Sequence, residues 1–238
     1  MSASARPEPL SDPESLSESK PEKGMFIVFE GIDGSGKTTV AKLVHEVLSA
    51  EMPGKVVLTA EPTDSFIGMA VRQANEGRAD EMAEALLFVA DRAEHTRQIR
   101  SWLSQGKIVL SDRYYASTIA YQGALLKGRM GGAKRAVEWL KSMNEPVIVH
   151  PDLTLLLTIS VSVAIKRLGS REALTKFEDL RYLSDVDLIY RGLCMEDPSF
   201  HTLDASRPVE QVVHEALRVI RRLAPQVGII DRDSSSAP

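Results

Sequence analysis

The chain contains one cysteine, Cys194. No intrachain disulfide can form, and no thiolate-based metal framework is available. A reducing, cytoplasmic setting fits that usage. Cys194 reads as a thiol on a helix, since a nucleophilic role would need a paired base. No apolar run approaches the ~20 residues of a membrane-crossing helix, so a membrane partner is not expected. Net charge is only −4, which gives no global basic field for a nucleic acid. The opening "MSASARPEPLSDPESLSESKPEK" has no apolar run and no signal-peptide core, so residues 1–23 are expected to form a disordered tail. The closing "DRDSSSAP", 231–238, reads as frayed for the same reason. No internal repeat is visible.

What remains, 24–230, suits one α/β domain: 43% of the chain is hydrophobic and 26% charged. Short β-branched runs at 25–31, 55–61, 107–113, 152–160 and 200–206 predict five strands. Helical patterns lie between them, at 37–50, 66–76, 80–103, up to Leu126, 133–144, 161–169 and 173–194. A last helix is expected from Arg207 to about Leu223, with Ser206 as its N-cap. Strands that are apolar throughout and separated by helices indicate a parallel sheet covered on both faces. Ligands of such sheets bind beyond the C-terminal strand ends.

"FEGIDGSGKTTVAKLVHEVL" opens that binding edge. Gly31, Gly36, Lys37 and Thr38 fit G-x-x-x-x-G-K-[ST], after a strand and before a helix as the motif requires. Glycines let the backbone curl so that its N–H groups face phosphate oxygens, and the helix N-terminus adds a favourable dipole. Lys37 is expected to bridge β- and γ-phosphates, and Thr38 to ligand Mg²⁺. Asp33 is either a turn-former or a carboxylate orienting Mg²⁺ or a donor on the acceptor.

"VLSDRYYASTIAYQG" (109–123) carries the second signal. Its strand ends in Asp112, the expected metal-orienting carboxylate. Asp112 and Arg113 could also form a purely structural salt bridge. Helical spacing, however, puts Arg113, Ser117 and Tyr121 on one face, with Thr118 three before Tyr121. A guanidinium, hydroxyls and an aromatic ring suit a phosphorylated small molecule that carries a ring. In "EALLFVADRAEHTRQIR", Phe88 and Arg92 share a helical face. Phe88 reads as core or as a stacking platform, and Arg92 beside it favours the platform.

Taken together, "FEGIDGSGKTT", "LLFVADR", "DRYYASTIAYQG", "LTAEPTDSFIG" and "LDASRPVEQV" resemble the thymidylate kinases over residues 25–223. The resemblance implies a three-layer P-loop NTPase fold, a five-stranded parallel sheet flanked by helices with a helical lid at about 164–183. It implies phosphoryl transfer from ATP to dTMP with Mg²⁺ held at Thr38 and Asp112, and a homodimer. ATP would be held by Gly31, Ile32, Asp33, Gly34, Ser35, Gly36, Lys37, Thr38 and Thr39, with Arg167 along adenine and Asp204 and Ala205 nearby. On the acceptor side the resemblance points to Glu61, Arg72, Phe88 stacking on thymine, Arg92 reading its O4, Arg113 on the phosphate, Ser117, Thr118, Tyr121 and Gln122. Tyr121 would close the space a ribose 2′-hydroxyl needs.

The transferring group needs positive charge, and the loop itself has only Lys37, because Ser35 precedes Gly36. Members without a loop arginine take that charge from the lid. Here "AIKRLGSREALTKFEDLRYL" offers Arg171 first and Lys176 second, while Lys166 and Arg181 read as a solvated face. Catalysis is therefore assigned to Lys37, Asp33, Arg113, Arg171 and Lys176. Ala60 stands where many relatives have arginine, which leans the acceptor-phosphate clamp on Arg113 and Arg72. The residues alone leave two alternatives open, a kinase for another nucleoside monophosphate or deoxynucleoside, and a P-loop switch. The switch leaves the aromatic and arginine-rich acceptor surface unexplained.

Overall fold

The computed structural model describes residues 24–169 and 175–223, with the side chains of 77, 78 and 175–179 left aside. The expected tails at 1–23 and 231–238, and Arg171, lie outside the described residues, as does the side chain of Lys176. Five strands form one parallel sheet in the order β2-β3-β1-β4-β5: β1 (Met25–Glu30), β2 (Val56–Ala60), β3 (Ile108–Asp112), β4 (Leu153–Thr158) and β5 (Phe200–Asp204). Among the described residues, eight α-helices connect and cover them: α1 (Lys37–Glu51), α2 (Phe66–Gln73), α3 (Glu81–Ser104), α4 (Tyr115–Leu126), α5 (Ala133–Asn144), α6 (Val161–Leu168), α7 (Thr175–Glu196) and α8 (Val209–Leu223).

Strand β1 is buried along its whole length, as expected for a central parallel strand. Alternation sends Met25, Ile27 and Phe29 into the larger core cluster, and Phe26 and Val28 into a smaller one with Ile99, Val109 and Tyr114. Helix α1 buries Val40, Ala41, Val44 and Leu48, one stripe at helical spacing. Its apolar stripe packs the phosphate loop firmly onto the sheet.

Sequence and structure differ at some element ends. The expected helix at 66–76 ends at Gln73 and continues as a π-helical turn, Ala74–Arg78. Ser206 does not cap the last helix: its hydroxyl and N–H both donate to Asp204 Oδ1, at 2.6 and 2.9 Å. The helix begins two residues later than expected, at Val209, and the Pro208 carbonyl accepts from the Val212 N–H at 3.2 Å. A local Asp–Ser turn thus wins over the cap, a competition these short polar side chains commonly enter.

Candidate active site

Register explains why the loop after β1 meets the end of β3. Phe29 pairs with Asp112 across the sheet, so Thr38, in the first turn of α1, comes within reach of it. Thr38 Oγ1 donates to Asp112 Oδ2 at 2.6 Å. The other carboxylate oxygen is buried and has no hydrogen-bond partner among the described residues. One hydroxyl and one carboxylate fit a Mg²⁺ that completes its shell with phosphate oxygens and water. No cluster of three acidic, His or Cys side chains exists among the described residues to hold a metal by itself.

Two loop glycines are required by geometry. At Gly34, a Cβ would lie 2.4 Å from the Ala164 carbonyl oxygen, and its φ is +81°. Gly36 caps α1 at φ 91°, a conformation that side chains resist. The first turn of α1 carries no acidic residue, so no carboxylate of its own offsets the positive end of the helix. Lys37 is 5% exposed. Its Nζ reaches Ile32 O at 3.4 Å and Asp33 Oδ1 at 3.3 Å. Burial, with Arg113 nearby, pushes the Lys37 ammonium below its ordinary value despite Asp33 and Asp112. A polyphosphate would supply the missing negative charge.

Arg113 links this loop to the acceptor side. It stands at φ 74°, a left-handed conformation uncommon outside glycine. There its guanidinium pairs with Asp33, donates to Ser117 Oγ at 3.2 Å, and lies 5.1 Å from the Tyr121 ring centre. Burial opposes the Arg113 charge, but Tyr121 and Asp33 outweigh it. Burial likewise opposes the Asp33 carboxylate, yet Arg113 and Lys37 hold it below the ordinary aspartate value. Tyr121 accepts from the Asp33 backbone N–H at 2.8 Å. The ring expected to shape the acceptor site therefore also braces the phosphate loop.

A cavity of about 390 Å³ opens beside these groups, within the range of small-molecule sites. Asp33, Phe88, Arg113, Ser117, Thr118, Tyr121 and Gln122 all line it. Glu84, Asn75, Leu125 and Tyr182 line it as well, and the sequence reading passed over them. Tyr182 donates to the Tyr121 carbonyl at 3.3 Å and stands edge-on to the Tyr121 ring.

Three expected acceptor residues lie outside that lining. Arg92 is fully buried, donating to Glu61 Oε2 at 2.6 Å, Thr118 Oγ1 at 2.9 Å and Asn144 Oδ1 at 2.6 Å. Glu61 is committed to Arg92 and to His95 Nδ1, at 2.9 Å. The pair forms a charged layer behind Thr118, because an isolated buried guanidinium or carboxylate would be prohibitively costly. Arg92 Nε is buried without a partner among the described residues. Arg72 lines an adjoining cleft with Thr38, Thr63 and Asp112, where it donates to Thr63 O at 2.6 Å and Asp64 at 2.8 Å.

Glu30, at the end of β1, is a further buried group that the sequence reading missed. It accepts from the Tyr114 and Ser117 N–H groups at 2.9 and 3.1 Å, from Ser117 Oγ at 2.6 Å and from Tyr190 at 2.8 Å. Burial raises its carboxyl above the ordinary value against those bonds. Glu30 thereby fixes the N-terminus of α4 and the hydroxyl that Arg113 contacts. On the opposite side of the loop, Arg167 donates to Gly34 O at 3.4 Å and Ala205 O at 3.1 Å. That brings together Arg167, Gly34 and Ala205, with Asp204 next in the chain.

A backbone loop that grips phosphate on one side and a side-chain cavity with its own guanidinium on the other define a P-loop phosphotransferase. Comparison with known proteins narrows the class. The family model described as thymidylate kinase matches residues 29–216, and the chain belongs to that family of nucleoside monophosphate kinases. It is 41% identical to a probable thymidylate kinase of Methanosarcina mazei over 209 residues, covering 85% of this chain and all of the relative. It is 39% identical to a probable thymidylate kinase of Pyrobaculum calidifontis, covering 83% and 96% of the two chains. The crystal structure of thymidylate kinase from Ehrlichia chaffeensis superposes with a TM-score of 0.66 at 31% identity, covering 83% and 98%.

Proposed function

We propose that the protein transfers the γ-phosphoryl group of ATP to dTMP, giving dTDP. The observation that carries this reading is the Arg113–Asp33 contact, which joins the acceptor cavity to the phosphate loop at the point where a phosphoryl group would cross. An acceptor carrying its own phosphate meets Arg113, whose planar fork suits an anion bidentately. Phe88 offers a face for a ring, with Thr118 and Gln122 as polar contacts.

The chain's contribution is positioning and charge rather than proton abstraction, since an acceptor phosphate is already anionic. Backbone N–H groups of Gly34 and of Gly36 to Thr39 would cradle the donor phosphates, with Lys37 against the β and γ oxygens. Thr38 and Asp112 would hold Mg²⁺, which when bound neutralises charge on those oxygens. Arg167 flanks the donor base. The remaining positive charge over the transferring group is assigned to Arg171, with Lys176 second. Arg171→Ala is expected to lower kcat strongly while KM changes little, as for an interaction made only in the transition state.

Phe66 and Met69, three apart on α2, are 77% and 53% exposed, and a second copy of the chain is proposed as their cover. Among the described residues no helix is long and apolar enough to cross a membrane. Soluble nucleotide substrates and a lone thiol favour the cytoplasm. The test is ADP release with dTMP, dUMP, UMP, CMP, AMP and thymidine. dTMP is expected to be turned over best. Preference for thymidine would sink the monophosphate-kinase reading, and preference for another monophosphate would reassign the acceptor.

A further inference from the structure

One buried charge takes no direct part in phosphoryl transfer. Glu30, at the C-terminal end of β1, is 0% exposed. Its two oxygens face different donors. Oε1 accepts from backbone N–H groups, those of Tyr114 and Ser117 at 2.9 and 3.1 Å. Oε2 accepts from hydroxyls, Ser117 Oγ at 2.6 Å and Tyr190 at 2.8 Å. The backbone donors cannot turn, whereas the hydroxyls can.

A serine hydroxyl carries a single proton. Glu30 takes the proton of Ser117, so the lone pairs of that oxygen are left for Arg113, whose Nη1 donates to it at 3.2 Å. Tyr190, 1% exposed, holds the same carboxylate oxygen from α7. Burial raises the Glu30 carboxyl, while Ser117, Tyr190 and Arg113 favour its charged form. Arg113 needs such a hold. It precedes α4 at φ 74°, so the helix itself does not aim its side chain. Asp33 pairs with the same guanidinium. An acceptor phosphate and Asp33 carry like charge and compete for it, whereas Ser117 is a neutral anchor.

Resting on the dTMP reading, we propose that Glu30 is a positioning residue for the acceptor phosphate. Through Ser117 it holds Arg113 at the angle from which its fork meets that phosphate. Glu30 is absent from the cavity lining, so it acts on the substrate only through Arg113.

Glu30→Gln tests this. An amide has one acceptor end and one donor end. Its carbonyl must stay on the two N–H groups, so α4 keeps its N-terminal bonds. The NH₂ end then faces Ser117 and Tyr190, whose protons lose their acceptor, and the anchor of Arg113 is disturbed. In this variant kcat/KM for dTMP is expected to fall about tenfold, the worth of one charge-assisted bond, through KM for dTMP with KM for ATP unchanged. Thymidine, with no phosphate to grip, should lose little, so the dTMP:thymidine ratio falls by the same factor. Adding Glu30→Gln to Arg113→Ala should change the ratio no further, because the two act as a unit.

A merely structural Glu30 would weaken both substrates alike, and that unchanged ratio overturns the inference. A further loss of the ratio in Arg113→Ala overturns it too. Tyr190→Phe, which removes one donor to Glu30 from outside the cavity, covers a Glu30→Gln that does not fold. Its ratio is expected to fall about threefold, the worth of one neutral hydrogen bond, and an unchanged ratio contradicts the proposal. A wild type that turns over thymidine as well as dTMP overturns the underlying reading instead.

Discussion

The donor side and the acceptor side of this site are built in opposite ways. Residues 31–39 form one continuous stretch, a loop and the first turn of α1, whose working groups are mostly backbone, with Lys37 as its one buried cation. The acceptor cavity is made of side chains from α3, α4 and α7 and from the turns that hold Asp33, Pro62, Asn75 and Arg113, gathered by the fold. A backbone site can grip a polyphosphate without reading what is attached to it. A side-chain site can be shaped to a ring, a phosphate and a missing hydroxyl. Generality thus belongs to the loop and selectivity to the cavity. The two meet at Asp33, Arg113 and Tyr121.

Substitutions separate the two sides. Lys37→Ala should have the largest effect. Turnover should fall about 10³-fold, the upper range for loss of one preorganised charge donor, and by the same factor with dTMP and dUMP. An acceptor-dependent loss would show that the two sides are not separable. Arg113→Ala should cost about 10²-fold in kcat/KM for dTMP, from the loss of charge-assisted bonds to a phosphate. Thymidine, which has no phosphate to grip, should be affected far less.

Tyr121 tests the junction. Tyr121→Phe removes only the hydroxyl that accepts from the Asp33 N–H. It should reduce kcat about fivefold, one neutral hydrogen bond, and preserve the preference for dUMP over UMP. Tyr121→Ala removes the ring too, and that preference should shrink. If the preference survives the alanine, Tyr121 does not exclude the 2′-hydroxyl.

The smallest effect expected is on acid stability. Arg113 and Lys37 hold Asp33 below its ordinary value of 3.8 against the effect of burial. A carboxyl depressed on folding stabilises the fold above its unfolded value, and that contribution is lost as pH falls through the lower folded value. Below pH 3.8 the wild type should therefore lose stability faster than Asp33→Asn. Parallel melting curves for the two proteins in acid would show that the carboxylate is not coupled to the two cations in the fold.

The same contrast explains what was legible in the sequence. The phosphate loop was readable because its parts are contiguous and its glycines answer a local backbone demand. The acceptor face of α4 was readable because helical spacing brings Ser117 and Tyr121 together. Arg113 precedes the helix and joins them through a left-handed turn that spacing does not reveal. Glu30 looked like the end of an apolar strand, for its partners Ser117 and Tyr190 lie 87 and 160 positions away. Glu84 and Tyr182 carry no local pattern either. Arg92 occupies the expected helical face, but its charge is drawn to Glu61, and so it sits behind Thr118 rather than in the cavity lining. Single polar side chains gain meaning from long-range neighbours, and periodicity is silent about those.

The central claim is that the acceptor side is built around a phosphate as well as a ring. It is tested most directly by initial rates of ADP release with dTMP and with thymidine under identical conditions. The account predicts kcat/KM for dTMP at least about 10²-fold above that for thymidine, the worth of the Arg113 contacts to a phosphate. Equal or better use of thymidine would contradict it.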